Sequence, residues 1–458
     1  MASRVQVVVM LLASLFFMAI ADIRFLLCIG VLTGVSYFCA VFWERYHKRV
    51  FIAGGVLLSL GMLGYFKYCN FFVGGFAKLL GMDGISFNIM LPLGISFYTF
   101  SAISYLMDVK RGKYQAEKNL INYALYMTFF PKVTSGPIIR GDEFLPYLKD
   151  YQGISSDNFQ HGIQMFMLGF FKKVVLADHL GVFVAEIFAA PAAFHSVTVA
   201  LGVFSYSLQI YFDFAGYSDM AIGISKILGF DFAPNFNLPL VSQSVSEYWR
   251  RWHISLGAWF RDYLYYPLSI GPAVKIRKKL LDMGVGRKQA GSIASAIALL
   301  IVWMATGLWH GAQMTFVLWG VIQFIFVFYD QNHKVSQKPS RTREFLNWFF
   351  TFLVIMLSKV IFRADSMAVA LDVYQSMFLW HDGIVHLYSW TFVAAVLLAV
   401  GTLAAYIRSK RLGEREVNAF YPLLDLHRVI PLTVFFIFCG LTLILGYFGD
   451  TAFIYENF

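Results

Sequence analysis

Charge is what this chain lacks. Of its 458 residues only 14% are Asp, Glu, Lys or Arg, while 59% are hydrophobic. A soluble domain carries about 25% charge, so a soluble globular class is excluded. Cysteine is nearly absent too. Cys28, Cys39, Cys69 and Cys439 each lie in or beside an apolar run. None forms a C-x-x-C pair and none has a histidine at ligand spacing, so neither a disulfide framework nor a metal site is expected. G-x-S-x-G, P-loop and G-x-G-x-x-G motifs are missing, which weighs against hydrolase and nucleotide-binding readings. The chain has no internal repeat, heptad array or low-complexity tract. No polar linker is long enough to separate domains, so residues 1–458 are expected to form a single domain.

What is present is apolar length. A bilayer core takes about 20 residues of helix to cross, and apolar stretches near that length recur at 4–21, 24–43, 51–66, 70–81, 86–107, 120–131, 161–176, 179–193, 197–215, 216–230, 290–307, 312–329, 346–362, 389–407 and 430–448. Several are too short to cross alone. The expectation is an all-α polytopic membrane protein with about 10–13 crossings. Val5–Ala21 ends Ala19-Ile20-Ala21, in the manner of a signal peptide. A second apolar run begins at Phe25, so an uncleaved first span is expected.

The net charge of +10 is collected in the connections "ERYHKR" (44–49), "KRGKYQAEK" (110–118), "KIRKK" (275–279) with Arg287-Lys288, and "RSKRLGERE" (408–416). Lys and Arg gather in cytoplasmic loops. These segments are therefore placed in the cytoplasm, with the N-terminus outside and membrane lipid around the chain. No nucleic-acid partner is expected.

Three segments break the apolar pattern. From Gln289 to Tyr329 there is no Asp, Glu, Lys or Arg, yet His310 sits near the middle between Gly307 and Gly311. One helix over that run would be about 60 Å long against a core of about 30 Å, so the run must break there. The histidine then lies at a surface turn or on a broken helix beside a polar cavity. The second segment, "SQSVSEYWRRWHISLGAWFRDYLYYPL" (242–268), mixes charge with aromatics. Residues 249, 252, 256, 259 and 263 form a helical stripe, and Ser244–Glu247 reads as a capping box. His253 lies inside it. A desolvated histidine favours its neutral form and can accept a hydroxyl proton. In the third, "QIYFDFAGYSDMAIGIS" (209–225), Asp213 and Tyr217 share a helical face, and Asp219 follows. These polar groups either line the site or fix helix packing. The loop "FFPKVTSGPIIR" (129–140) reads as re-entrant or interfacial, with Lys132 and Arg140 available to a phosphate. "LPLGISFYTF" (91–100) is a Pro-Gly break entering an apolar span.

The stretches "YFKY" (65–68), "LPLGISFYTF", "QIYFDFAGYSDMAIGI", "NFNLPL" (235–240), "SEYWRRWHISLGAWFRDYLYYPL" (246–268) and "TGLWHGA" (306–312) together resemble the membrane-bound O-acyltransferases (MBOAT). They are similar above all to the bacterial polysaccharide O-acetylation branch, and the motifs run from about 65 to 320, with "FIYENF" (453–458) similar to that branch's ending. The resemblance implies helices around a central funnel, reached by a cytosolic acyl donor from one side and an extracytoplasmic acceptor from the other. It implies His310 as catalytic base or acyl-handling residue and His253 as the second catalytic position, with Asp213, Tyr217, Arg250, Trp252 and Trp309 binding or supporting substrate. No bound cofactor is expected. Acetyl-CoA is the expected donor, an esterase-like extracytoplasmic acetyltransferase the partner, a polysaccharide or peptidoglycan hydroxyl the acceptor, and the bacterial cytoplasmic membrane the location. After "YLYYPL" the chain reads "SIGPAVKIRKKLLDMGVGRKQ" (269–289), where that branch commonly has a Gly-Gly-Asn/Ser-Arg stretch; "TSGPI" (134–138) is similar to the D-alanyl transfer branch. A D-alanyl transferase fed by a carrier protein is one alternative, and an acetyl transporter or channel without its own chemistry is another.

Overall fold

The computed structural model describes residues 4–82, 86–149, 151, 153–333, 340–413 and 424–449. "FIYENF" and the end of the 408–416 basic stretch lie outside these residues. The described chain is helical, and its one β-type feature is the isolated bridge Phe194–Ile384. In order come α1 (Arg4–Ala21), α2 (Ile23–Tyr46), α3 (Arg49–Leu63), a π turn (Gly64–Tyr68), α4 (Cys69–Leu79), α5 (Ile95–Lys110), α6 (Leu120–Thr128), α7 (Phe130–Val133) and α8 (Gly141–Lys149). Next are α9 (Ser156–Phe171), a π turn (Lys172–Ala177), α10 (Asp178–Ala189), α11 (Ser196–Ile227), α12 (Val245–Arg251), α13 (Ile254–Phe260), a π turn (Arg261–Tyr265), α14 (Tyr266–Ile270) and α15 (Pro272–Asp282). The last are α16 (Arg287–His310), α17 (Met314–Asn332), α18 (Arg341–Arg363), α19 (Met367–Phe378), α20 (Ser389–Arg411) and α21 (Val429–Leu445).

Eight described helical runs are long and apolar enough to cross a bilayer, with Val429–Leu445 a shorter apolar helix besides. Two pairs of the apolar stretches read in the sequence take a different form in the fold. The stretches 197–215 and 216–230 are one continuous helix, α11. The stretches 86–107 and 120–131 shrink to α5 and α6, of 16 and 9 residues. The multi-pass, all-α architecture stands.

The chain divides into two compact units, one holding residues up to Ile163 with Ala221–Ala233, the other holding Gln164–Met220 with the described residues from Pro234 onward. In the first, α5 is the centre, with 14 of its 16 residues buried. It begins at Gly94, whose φ of 72° suits glycine and whose missing Cβ would stand 2.0 Å from the Val133 carbonyl oxygen. The Pro-Gly break read in the sequence is thus a helix start pressed against the 129–140 loop. Lys132 in that loop points inward, 3.8 Å above the Tyr126 ring, and is only 4% exposed. In the second unit α16 and α17 form a tight pair, with α15 against α16 and both α12 and α18 against α17.

Candidate active site

The α16–α17 pair explains the break near His310. A Cβ on Gly307 would lie 2.2 Å from the Phe316 carbonyl oxygen, and one on Gly320 would lie 2.4 Å from that of Trp303. Only glycine lets the two backbones approach so closely. Helix α16 ends at His310, Gly311 and Gln313 are extended, and α17 starts at Met314. His310 is 2% exposed. Its ring meets three aromatics edge-on, Trp309 at 5.0 Å, Trp319 at 5.3 Å and Phe362 at 5.0 Å between centroids. Of the two sequence readings, the surface turn is ruled out by this burial.

The 242–268 segment is not one helix. Ser244 caps α12 by accepting the Glu247 N–H at 3.1 Å, as the capping signature predicts. The helix stops after seven residues, Trp252 is extended, and His253 takes a left-handed backbone with φ 43°. Such a conformation costs a non-glycine residue about 1–3 kcal/mol and must be held by its surroundings. Asn235 holds it. The Asn235 carbonyl accepts the Ile254 N–H at 2.9 Å. Its side-chain Oδ1 accepts the Ser255 N–H at 3.1 Å and the Ser255 hydroxyl at 2.9 Å. Its Nδ2 donates to Ser218 Oγ at 3.3 Å. The predicted stripe still faces inward, with Trp252, Leu256, Trp259 and Tyr263 all buried.

The same Oδ1 lies 3.3 Å from His253 Nδ1. An amide oxygen only accepts, so Nδ1 carries the proton and Nε2 holds the lone pair. Nε2 is buried and makes no hydrogen bond to a described residue. His253 itself is 1% exposed, and burial favours the neutral imidazole. The result is an oriented free base. Its ring packs edge-on to Phe214 at 4.7 Å and lies 6.0 Å from Trp309. Trp309 therefore neighbours both imidazoles, bringing His253 and His310 into one aromatic cluster.

A polar tie fixes this cluster to its helices. Trp249 Nε1 donates to Gln323 Oε1 at 3.0 Å, and Gln323 Nε2 donates to Ser358 Oγ at 2.9 Å. Sequence reasoning missed Gln323, Ser358 and Asn235. Gln323 had a signal, as the one amide in the apolar run 314–329; Ser358 had none. Asn235 had only its place in "NFNLPL".

The remaining expected residues are placed differently. Asp213 is 1% exposed and pairs with Lys173 Nζ at 2.8 Å. Lys173 also holds Asp178 at 2.7 Å, and its neighbour Lys172 holds Asp219 at 2.5 Å. Both lysines belong to the π turn before α10, a feature that often marks special sites. Each aspartate is thus held by a lysine, and these lysines were not singled out in the sequence. Tyr217 is half-buried on α11. Trp252 is buried and stacks on Tyr248 at 5.5 Å. Arg250 is exposed. Its neighbour Arg251 is the buried one, bonded to Glu247 at 2.8 Å and to the Asn237 carbonyl at 3.1 Å. Among the described residues no group of three His, Cys, Asp or Glu could hold a metal.

The chain is similar to known proteins over this region. The family model of the membrane-bound O-acyltransferases matches residues 115–367, which include both histidines. The chain is 37% identical over 385 residues to the probable alginate O-acetylase AlgI of Pseudomonas aeruginosa, covering 82% of this chain and 70% of that one. It is 32% identical over 404 residues to the peptidoglycan O-acetyltransferase of Helicobacter pylori, covering 80% and 73%. Against the teichoic acid D-alanyltransferase of Streptococcus thermophilus it is 30% identical over 295 residues, covering 59% and 68%.

Proposed function

The chain belongs to the membrane-bound O-acyltransferase family and is a multi-pass O-acyltransferase, and on that premise we propose that it moves acetyl groups from cytosolic acetyl-CoA toward hydroxyls of an extracytoplasmic polysaccharide or peptidoglycan. The relatives named for alginate and peptidoglycan acetylation support this acceptor class. A bacterial cytoplasmic membrane and a separate esterase-like extracytoplasmic transferase belong to the same reading.

One observation carries the chemistry: two buried imidazoles share the Trp309 ring as neighbour, and one of them presents an unoccupied Nε2 lone pair. In the reaction, the hydroxyl oxygen bonds to the thioester carbonyl carbon while an imidazole takes its proton. The carbon–sulfur bond then breaks, and the thiolate leaves and is protonated. His310 takes the acceptor proton or carries the acyl group transiently. His253, held neutral and oriented by Asn235, accepts a hydrogen bond from a second donor group of the acceptor and so positions the reacting hydroxyl. The surrounding Trp and Phe rings keep water from competing with that hydroxyl.

The test is CoA release from labelled acetyl-CoA by purified protein in liposomes, comparing wild type with His310→Ala. Release by wild type and its loss in the variant support the reading. Full activity in the variant removes His310 from the mechanism. The D-alanyl relative favours one second reading. Turnover of an aminoacylated carrier protein, with none of acetyl-CoA even when acceptor and partner are supplied, would establish it.

A further inference from the structure

Lys359 lies on α18 and is 6% exposed. Its Nζ makes no hydrogen bond to any described residue. It stands instead over aromatic faces, 4.9 Å from the Trp252 ring and 5.8 Å from that of Tyr248. Trp252 directly precedes His253. Three residues along α18, on the same helical face, Phe362 packs against the His310 ring at 5.0 Å. One face of α18 thus touches the segment bearing the first histidine and the ring of the second. The preceding residue, Ser358, is anchored to Gln323, so this face is held in place.

The half-buried lysines of this unit behave differently. Lys172 and Lys173 each have a carboxylate within 2.8 Å. Lys359 has ring faces alone. A cation–π contact offsets about 2 kcal/mol when desolvated, whereas a buried ion costs several kcal/mol. The ammonium is balanced once a negative charge comes within reach. A phosphate or carboxylate carries its charge permanently and is usually met by several donors or a bidentate arginine. A single ammonium against the indole that precedes His253, one turn from the Phe362 that packs on His310, suits a charge that appears and vanishes in a dry site.

We propose that Lys359 is the oxyanion-stabilising residue of the acyl-transfer centre, its Nζ facing the carbonyl oxygen of the acyl group. This rests on the acyl-transfer reading above but not on which donor is used. As the hydroxyl oxygen bonds to the carbonyl carbon and its proton passes to imidazole, the carbon–oxygen π pair moves onto the oxygen. That oxyanion forms against Lys359. The double bond re-forms as the carbon–sulfur bond breaks, and the departing thiolate takes the proton back from the imidazolium.

The test measures kcat and donor KM for wild type, Lys359→Met and Lys359→Arg in liposomes, with thermal unfolding recorded for each. Expected is a fall in kcat of about 10²–10³-fold for the methionine variant, donor KM within about threefold of wild type, and partial recovery with arginine. Lys359→Gln replaces the methionine variant if that does not fold. A raised donor KM with kcat preserved would show a permanent-anion binding role and overturn the proposal, as would unchanged kinetics. All variants are assayed with both acetyl-CoA and an aminoacylated carrier. A wild type active with the carrier alone overturns the acetyl-CoA reading and leaves the Lys359 comparison intact. A wild type that turns over neither thioester overturns acyl transfer and the oxyanion role together.

Discussion

Asn235 Oδ1 lies 3.3 Å from His253 Nδ1 while also accepting the backbone N–H and hydroxyl of Ser255. One side chain therefore sets both the backbone kink at His253 and the tautomer of its ring.

Replacing Asn235 tests that double role. Asn235→Leu leaves the Ser255 groups and Nδ1 without their acceptor, a loss of about 1–3 kcal/mol per buried group. The expected outcome is a lower unfolding temperature together with at least a tenfold fall in kcat. Wild-type turnover in a variant that stays folded would free His253 from any part in the reaction.

Asn235→Asp keeps the acceptor but adds a negative charge, which raises the pKa of the facing imidazole. The imidazole accepts its positioning hydrogen bond only when neutral. The acid limb of the kcat/KM profile should therefore move to higher pH, with activity lost at pH values where wild type still works. A limb that stays put or moves down would show that His253 does not titrate in the reaction.

Gly307→Ala and Gly291→Ala make a matched pair on one helix. At Gly307 the new Cβ meets the Phe316 carbonyl at 2.2 Å, while at Gly291 nothing lies within 4 Å. The first should destabilise by about 1–3 kcal/mol through forced separation of α16 and α17, and should lower turnover by displacing His310. The second should be neutral or stabilising by up to about 1 kcal/mol. Thermal unfolding in detergent and CoA release check both, and equal effects would refute the close-approach account.

Lys173 sits between Asp213 and Asp178, at 2.8 and 2.7 Å. Lys173→Met takes the shared cation from both carboxylates and should cost about 3–5 kcal/mol. Asp213→Asn leaves Lys173 with Asp178 and should cost less. Unfolding temperatures in that order support an ion-pair role in packing; the reverse order would overturn it.

Arg250→Ala and Arg251→Ala separate two adjacent arginines that sequence alone does not rank. Arg250 is exposed, and its loss should change stability by no more than about 0.5 kcal/mol. Arg251→Ala removes two partly buried hydrogen bonds and should destabilise by about 1–3 kcal/mol. Thermal unfolding of the two variants decides it.

Much of this protein was readable from local chemistry. Apolar runs of bilayer length dictate helices, because an unpaired backbone in lipid is too costly. The run 289–329 had to break, because one helix would be twice the bilayer core, and the break falls at His310 between the flanking glycines. Ser244 capping α12 was legible for the same reason: every partner lies within a few residues.

What tertiary structure decided are the relationships between residues far apart in the chain. The stripe 249–263 reads as one helix, and only the hold of Asn235, eighteen residues before His253, shows why it is broken there. That Asp213 and Asp219 are held by Lys173 and Lys172 is a pairing only the fold displays. Lys359 is an ordinary lysine near a helix end in the sequence; the packing of α18 puts it on Trp252. Periodicity and helix length are properties of a segment, so the sequence carries them. The partner of a buried polar group is chosen by packing, and only the folded chain contains that choice.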